Sequence, residues 1–239
     1  MTYSMNKLSF VYCFSKTLAV TEEQYTVSLE LFESATRLLS KFYKFRIVTD
    51  KVTFNDLKHL TGDIQIVDVG NFTFLDDFKI SVLETLQPNE ILIDPDILIH
   101  RQPVIENNAD LIFDYEDSPT QDWYINGLQE LKGTLLYDRI KQSKDLPFIP
   151  NIGFLRINNP TLLSEYTKLY KLFSEDIINK VKFTFPNFSI FLGQYLLGIL
   201  LYEGNYSYFS LRNVNTGRVY VHLGGSQKYE KLKRKKTVI

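Results

Sequence analysis

One cysteine, Cys13, stands among 239 residues, set in an apolar stretch. A single thiol makes no internal disulfide, and no cluster of thiols and imidazoles offers a zinc site, so Cys13 reads as a buried structural residue. Long apolar runs are also missing. The longest, "FSIFLGQYLLGILLY" at 188–202, is broken by Gln194 and two glycines. It falls short of the roughly 20 residues that a membrane span needs and reads as a buried helix. No basic segment followed by an apolar one is found, so no secretory leader is expected and the chain reads as soluble and cytoplasmic. Excess charge is absent too. The formal net charge is −1, which gives no global field to recruit nucleic acid. With 44% apolar and 23% charged residues the chain is not polar enough to be disordered.

What charge there is lies unevenly. The tail "KYEKLKRKK" is basic and "DLIFDYEDSPTQD" is acidic. A short basic tail is usually a solvated one, with weak contact to an anionic membrane surface as the alternative. A chain of this length buries one substantial core, and a single domain over 1–239 is expected. Within it the pattern divides at about 105, with a second half over 106–228 and the basic tail at 229–239.

The first half alternates in type. "LSFVYCF" (8–14) is a buried strand rich in β-branched and aromatic residues. The segment from Thr21 is an amphipathic helix, with Thr21 as its cap, acids in the first turn and apolar residues at Val27, Leu31, Ala35 and Leu38. "FRIVTD" (45–50), "DIQIVDV" (63–69) and "EILID" (90–94) are further strands, separated by helical patterns at "VTFNDLKHL" and 76–86. The order β-α-β-α-β-α-β argues a parallel sheet with helices on both faces. The second half gives strands at 109–117 and 147–158, a helix over 160–177 and the buried helix at 188–202 with Asn187 as a cap. Two more strands, "YSYFSLRN" and "RVYVHLGG", flank the turn "VNTG".

Parallel sheets place ligands beyond the carboxyl ends of their strands, where Asp50 and Asp94 fall. Asp94 belongs to "EILIDPDILIH", an apolar strand interrupted by Asp94-Pro95-Asp96. In extended chain, residues two apart share a face, so the two carboxylates are presented together. Neighbouring like charges repel unless something pairs with them, and a divalent cation does so. Oxygen ligands with room for water or phosphate suit Mg²⁺ or Mn²⁺. Pro95 cannot donate to a ladder, so pairing stops there and the chain turns. The plain alternative is a solvated Asp-Pro-Asp turn.

This segment resembles the Asp-x-Asp strand end of GT-A-fold glycosyltransferases, which use nucleotide-sugar donors. Three later segments are similar to theirs in the same order. They are "PNIGFLRIN" (150–158), "FLGQYLLGILL" (191–201) and "VHLGGSQK" (221–228), the last with the spacing H-x-x-G-x-x-K. The resemblance implies a GT-A-like, Rossmann-type mixed and mostly parallel sheet, with a nucleotide-sugar half at 1–105 and an acceptor half at 106–228. It further implies a cation, Mn²⁺ or Mg²⁺, held by Asp94, Asp96 and His222 on the diphosphate of a donor such as a UDP-sugar. Gly224, Gly225 and Lys228 would bind that diphosphate, while Tyr12, Asp50 and Asp94 would lie on the donor. Gln194, Asn151 and Glu116 would act at the sugar or the acceptor, a glycan, protein or other molecule. The residues alone leave alternatives. Gln194 could tie down a loop, Asn151 could cap a turn, and Glu116, with Asp114 and Asp117, could belong to a solvated acidic loop. His222 could be a surface histidine, and Lys228 one more cation of the tail. Trp123 and Tyr124 either stack on a sugar ring or pack in the core.

The chain departs from the family at three points. Gly193 precedes Gln194 where relatives carry an acid, no Pro-Trp follows Lys228, and the first strand lacks an acidic pair. A protein that kept the fold for binding or assembly without catalysis is therefore the alternative function.

Overall fold

The structure, a computed structural model, describes residues 8–18, 21–70, 72–73, 75–105, 108–143, 146–181 and 188–223, the side chains of 75 and 188–190 excepted. The chain divides into two compact units. Met1–Leu75, Leu86–Val104 and Val214–Ile239 form the first, and Asp76–Thr85 and Ile105–Asn213 the second.

In the first unit the central strand, β1 (Ser9–Cys13), is buried along nearly its whole length. It pairs in parallel with β2 (Lys44–Thr49) and β4 (Glu90–Ile93), and β2 pairs in parallel with β3 (Asp63–Ile66). Strands covered on both faces read as continuous apolar runs, which "FVYC" and "ILI" (91–93) are. Helix α1 (Glu22–Leu39) starts where the sequence puts it, with Thr21 Oγ1 accepting from Gln24 N–H at 3.1 Å. A cap of this kind is worth about 1 kcal/mol. Its buried face is Tyr25, Leu31, Phe32, Ala35 and Leu39. Helix α2 (Lys51–Leu57) follows β2 directly and is capped by Asp50. Across the face of the sheet, the half-buried Arg46 guanidinium grips Glu90 through two bonds of 2.7 and 3.0 Å, joining β2 to β4 over β1.

Beyond β4 the chain turns into β5 (Ile97–Ile99), which pairs antiparallel with β9 (Tyr220–His222) from the far end of the sequence. This ribbon lies on α1. Leu98, Val221 and Leu223 pack with Leu31, Ala35 and Leu38. Because strand side chains alternate, the residues between them, Tyr220 and His222, face the other way.

The second unit carries α3 (Leu75–Leu83), β6 (Leu111–Asp117), α4 (Asp122–Glu130), α5 (Leu135–Gln142), β7 (Ile149–Ile157), α6 (Pro160–Lys180), α7 (Phe188–Gly204) and β8 (Tyr208–Ser210). β6 pairs antiparallel with β7 and in parallel with β8, so the strands of the protein make a mixed, mostly parallel α/β arrangement of Rossmann type. Asn159 caps α6 and Pro160 fills its first turn, where a missing N–H costs nothing. α7 is buried on every side from Phe191 to Leu201 and packs on β7 and α6. Gly127 of α4 allows a close approach to α7, since a Cβ there would lie 2.7 Å from the Phe191 ring.

The structure differs from the expected elements in two places. Helices α4 and α5 are not anticipated. The strands flanking the 214–217 turn do not form a hairpin: the first pairs with β6 and the second with β5. Asn187, expected as the cap of α7, lies outside the described residues. Among the described residues no helix is long and apolar enough to cross a membrane.

Candidate functional site

At the end of β4 the backbone makes a tight turn, with Ile97 N–H donating to Asp94 C=O at 3.2 Å and Pro95 at the second position. Pro95 supplies the fixed φ that such a turn uses. This corrects one step of the sequence argument. Asp94 and Asp96 are brought together by a turn, not by the alternation of an extended strand. The neighbouring ladder then delivers His222. Ile97 lies opposite His222 in register, and Leu223 N–H donates to Asp96 C=O at 3.1 Å. The far end of the ribbon is closed by Asn215, whose amide donates to Val104 C=O and accepts from Val104 N–H, both at 2.8 Å. This one side chain does the work of a backbone partner and is itself buried, at 3% exposure.

The result is a cluster of one imidazole and two carboxylates. His222 Nε2 lies 3.4 Å from Asp96 Oδ1 and 3.9 Å from Asp94 Oδ2, and one ligand atom from each of the three lies within 4.8 Å of the others. The side chains are 8%, 12% and 21% exposed for His222, Asp96 and Asp94. Two carboxylates this close and this little hydrated favour a bound cation. Two hard oxygens and one imidazole nitrogen, with open positions left for water or phosphate, fit Mn²⁺ or Mg²⁺.

The second unit assembles a different group. Tyr124 on α4, fully buried, places its hydroxyl 2.8 Å from Gln194 Oε1 on α7 and 2.9 Å from Asp117 Oδ2 at the end of β6. Asn151 on β7 joins through Nδ2, 3.4 Å from the same Asp117 oxygen. The register explains its position. Phe113 faces Leu155 while Tyr115 faces Asn151, so β7 bulges between those pairs. Asn151 Oδ1 accepts from Gly153 N–H at 3.1 Å inside that bulge. Gln121 Nε2 adds a bond of 3.1 Å to Asp117 Oδ1. Burial, reinforced by Asp117, pushes the Tyr124 phenol far above its ordinary pKa.

Other expected residues are placed elsewhere. Glu116 is exposed, on the opposite face of β6 from Asp117, and accepts from Asn213 Nδ2 at 3.1 Å. The acid that meets Gln194 through Tyr124 is Asp117. Tyr12 is a correction. It is fully buried, edge-on to Phe32 and Phe45 at 5.0 and 5.9 Å, which makes it a core residue that no nucleotide reaches. Asp50 is a second. At 4% exposure, it accepts from Ser15 Oγ (2.6 Å), Thr53 Oγ1 (2.7 Å), Val52 N–H (2.8 Å) and Thr53 N–H (2.9 Å). Burial raises its pKa, but those four bonds outweigh burial and hold it below the usual carboxylate value. Its acceptor capacity is spent on α2 and the loop after β1. Gly224, Gly225 and Lys228 lie outside the described residues.

Asn215 and the role of Tyr124 are not anticipated from the sequence. The Tyr124, Leu128, Leu131 spacing carried the signal of α4 and of the face that Tyr124 occupies.

No protein-family model matches the chain, and no curated protein matches it. Among solved structures it is similar to the glycosyltransferase GlyE of Streptococcus pneumoniae in its apo form, at 17% identity and a TM-score of 0.44, over 85% of this chain and 45% of that one. A second GlyE structure gives 14% identity and a TM-score of 0.46, over 85% and 46%. A 4-diphosphocytidyl-2C-methyl-D-erythritol synthase from Anaerococcus prevotii gives 8% identity and a TM-score of 0.39, over 97% and 98%. The chain thus spans less than half the length of the GlyE chains.

Proposed function

We infer that the chain is a metal-dependent glycosyltransferase that takes a sugar from a nucleotide-diphosphate donor, a UDP-sugar being the first to try. The observation that carries the reading is the meeting of Asp94, Asp96 and His222 at one corner, although they come from distant parts of the sequence. Those three side chains would hold Mn²⁺ or Mg²⁺, which when bound neutralises the diphosphate that leaves with negative charge. Lys228 and the amides of Gly224 and Gly225 are assigned to the same diphosphate by the H-x-x-G-x-x-K resemblance, as a point charge and as backbone donors. Gln194 and Asn151 are assigned to hydroxyls of the sugar or the acceptor. Both are amides, able to give and to take a hydrogen bond, which suits a sugar hydroxyl that does the same.

The test is a thermal shift with Mn²⁺ and a nucleoside diphosphate, UDP or GDP. A ligand at 100 times its Kd stabilises the folded state by about 2.7 kcal/mol. The stabilisation should require metal and nucleotide together and be lost in Asp96→Asn. No shift with any pairing of nucleotide and metal would count against the reading. Nucleotide-sugars in the presence of Mn²⁺ should then show slow hydrolysis, which identifies the donor.

One feature favours a second reading, a non-catalytic binding or assembly protein. Gly193 has no side chain where the resembling family carries an acid, and the Tyr166 hydroxyl lies 3.1 Å from where its Cβ would be. Such a protein would bind metal and nucleotide with no hydrolysis of any nucleotide-sugar.

A further inference from the structure

Tyr124 poses a question of proton number. Its oxygen lies within hydrogen-bond distance of two acceptors, Gln194 Oε1 at 2.8 Å and Asp117 Oδ2 at 2.9 Å. A phenol has one proton to give. Burial keeps Tyr124 neutral, so that proton is present and must be directed at one of the two.

The surroundings favour Asp117. Gly153 N–H donates to Asn151 Oδ1, which fixes the Asn151 amide and leaves its Nδ2 toward Asp117 Oδ2. Gln121 Nε2 lies on the other carboxylate oxygen. Asp117 thus sits among donors as an acceptor, and a hydrogen bond to a carboxylate is about twice as strong as one to a neutral amide. With the Tyr124 O–H pointed at Asp117, an amide oxygen facing the phenol oxygen would be a contact between two acceptors in a buried place. Turning the Gln194 amide over removes the conflict. The two ends of an amide are alike in size, and the hydrogen-bond network decides which faces which way.

We propose that Asp117 and Tyr124 are positioning residues that orient Gln194: Asp117 accepts the hydrogen bond of the Tyr124 hydroxyl, the Tyr124 oxygen accepts from Gln194 Nε2, and Gln194 Oε1 is left turned away as a fixed acceptor for a substrate hydroxyl. The orientation stands on the geometry alone, and the substrate hydroxyl rests on the transferase reading. Gln194 is 4% exposed, so its side chain is almost wholly enclosed. An amide held this way discriminates. Its fixed oxygen takes a hydrogen bond from a ligand hydroxyl, while one of its two N–H groups is held by Tyr124.

Neutron diffraction from perdeuterated crystals of the full chain reads the orientation directly. The expected map has the two amide deuterons of Gln194 on the side of Tyr124 and the phenol deuteron toward Asp117. A Gln194 carbonyl facing Tyr124 would overturn the proposal. In Asp117→Ala the phenol proton should pass to Gln194 and turn the amide over, and an unchanged amide there would remove Asp117 from the chain of control. Should that variant not fold, Tyr124→Phe replaces it. The amide should then lose its single orientation, and one kept unchanged argues against Tyr124. In solution, Asp117→Ala should lower kcat for nucleotide-sugar hydrolysis at least about tenfold, with Mn²⁺ affinity unchanged. If the unaltered protein turns over no nucleotide-sugar, the transferase reading fails, and the neutron result still decides the orientation.

Discussion

The two units assemble their polar groups by opposite means. In the first, the backbone places the groups: a proline turn sets Asp94 and Asp96, and a two-strand ladder sets His222 opposite Ile97. In the second, side chains place one another: Asp117, Tyr124, Asn151 and Gln194 are linked through hydroxyl, carboxylate and amide. A group set by register is secure while the ladder holds and is lost if the ladder slips by one residue, since that turns His222 to the opposite face. A group set by side chains can be retuned one atom at a time with little cost to the fold.

The sharpest way to break this contrast is at the proposed metal ligands. Asp96→Asn and His222→Ala should each weaken Mn²⁺ binding on the order of 100-fold, read by calorimetry, with a melting temperature close to that of the unaltered chain. Unchanged affinity would remove the residue from the cation site. A smaller effect tests the backbone's part. Asn215→Ala loses two hydrogen bonds to Val104, worth about 2 kcal/mol together, and should weaken Mn²⁺ about tenfold though Asn215 lies well down the ribbon from the carboxylates. Tyr124→Phe is its counterpart in the second unit, with a cost near 1 kcal/mol and no change in Mn²⁺ affinity.

Smaller still is the exchange at Gly193. Its missing Cβ would lie 3.1 Å from the Tyr166 hydroxyl, an oxygen buried with no hydrogen-bond partner among the described residues. Gly193→Ala should destabilise by about 1 kcal/mol, and Tyr166→Phe should recover it. Tyr166→Phe alone should raise the melting temperature, because removing an unsatisfied buried hydroxyl relieves its desolvation. The smallest effect is one of pH. Asp50 has a depressed folded pKa, so its contribution is full above the unfolded value of about 3.9 and fades as pH falls through the folded value. Asp50→Asn should flatten the acid limb of a stability-against-pH curve, and an unchanged acid limb would exclude Asp50 from it.

How much of this was written in the sequence depends on range. Local rules found the strands, the capped helices and the corner at Asp94-Pro95-Asp96, because apolar period, cap chemistry and proline act over a few residues. The meeting of His222 with that corner depends on a ladder between chain segments more than a hundred residues apart, and only the resemblance connected them. Which of Glu116 and Asp117 meets Tyr124 turns on which face of β6 lies toward α4, a helix not anticipated from the sequence. Asp50 looked like a ligand because an acid after a parallel strand is also what a helix cap looks like. Tyr12 misleads for a simpler reason: β1 is an interior strand, paired along both edges by β2 and β4, and Tyr12 is fully buried against Phe32 and Phe45.

The pairing of β5 with β9 has a consequence for assembly during synthesis. A nascent chain that has made only its first two hundred residues owns the carboxylate corner but not the imidazole that completes it. Closing so long a loop is entropically slow, so the proposed cation centre is among the last features to mature. Metal affinity should therefore report on completed folding more faithfully than helix content does.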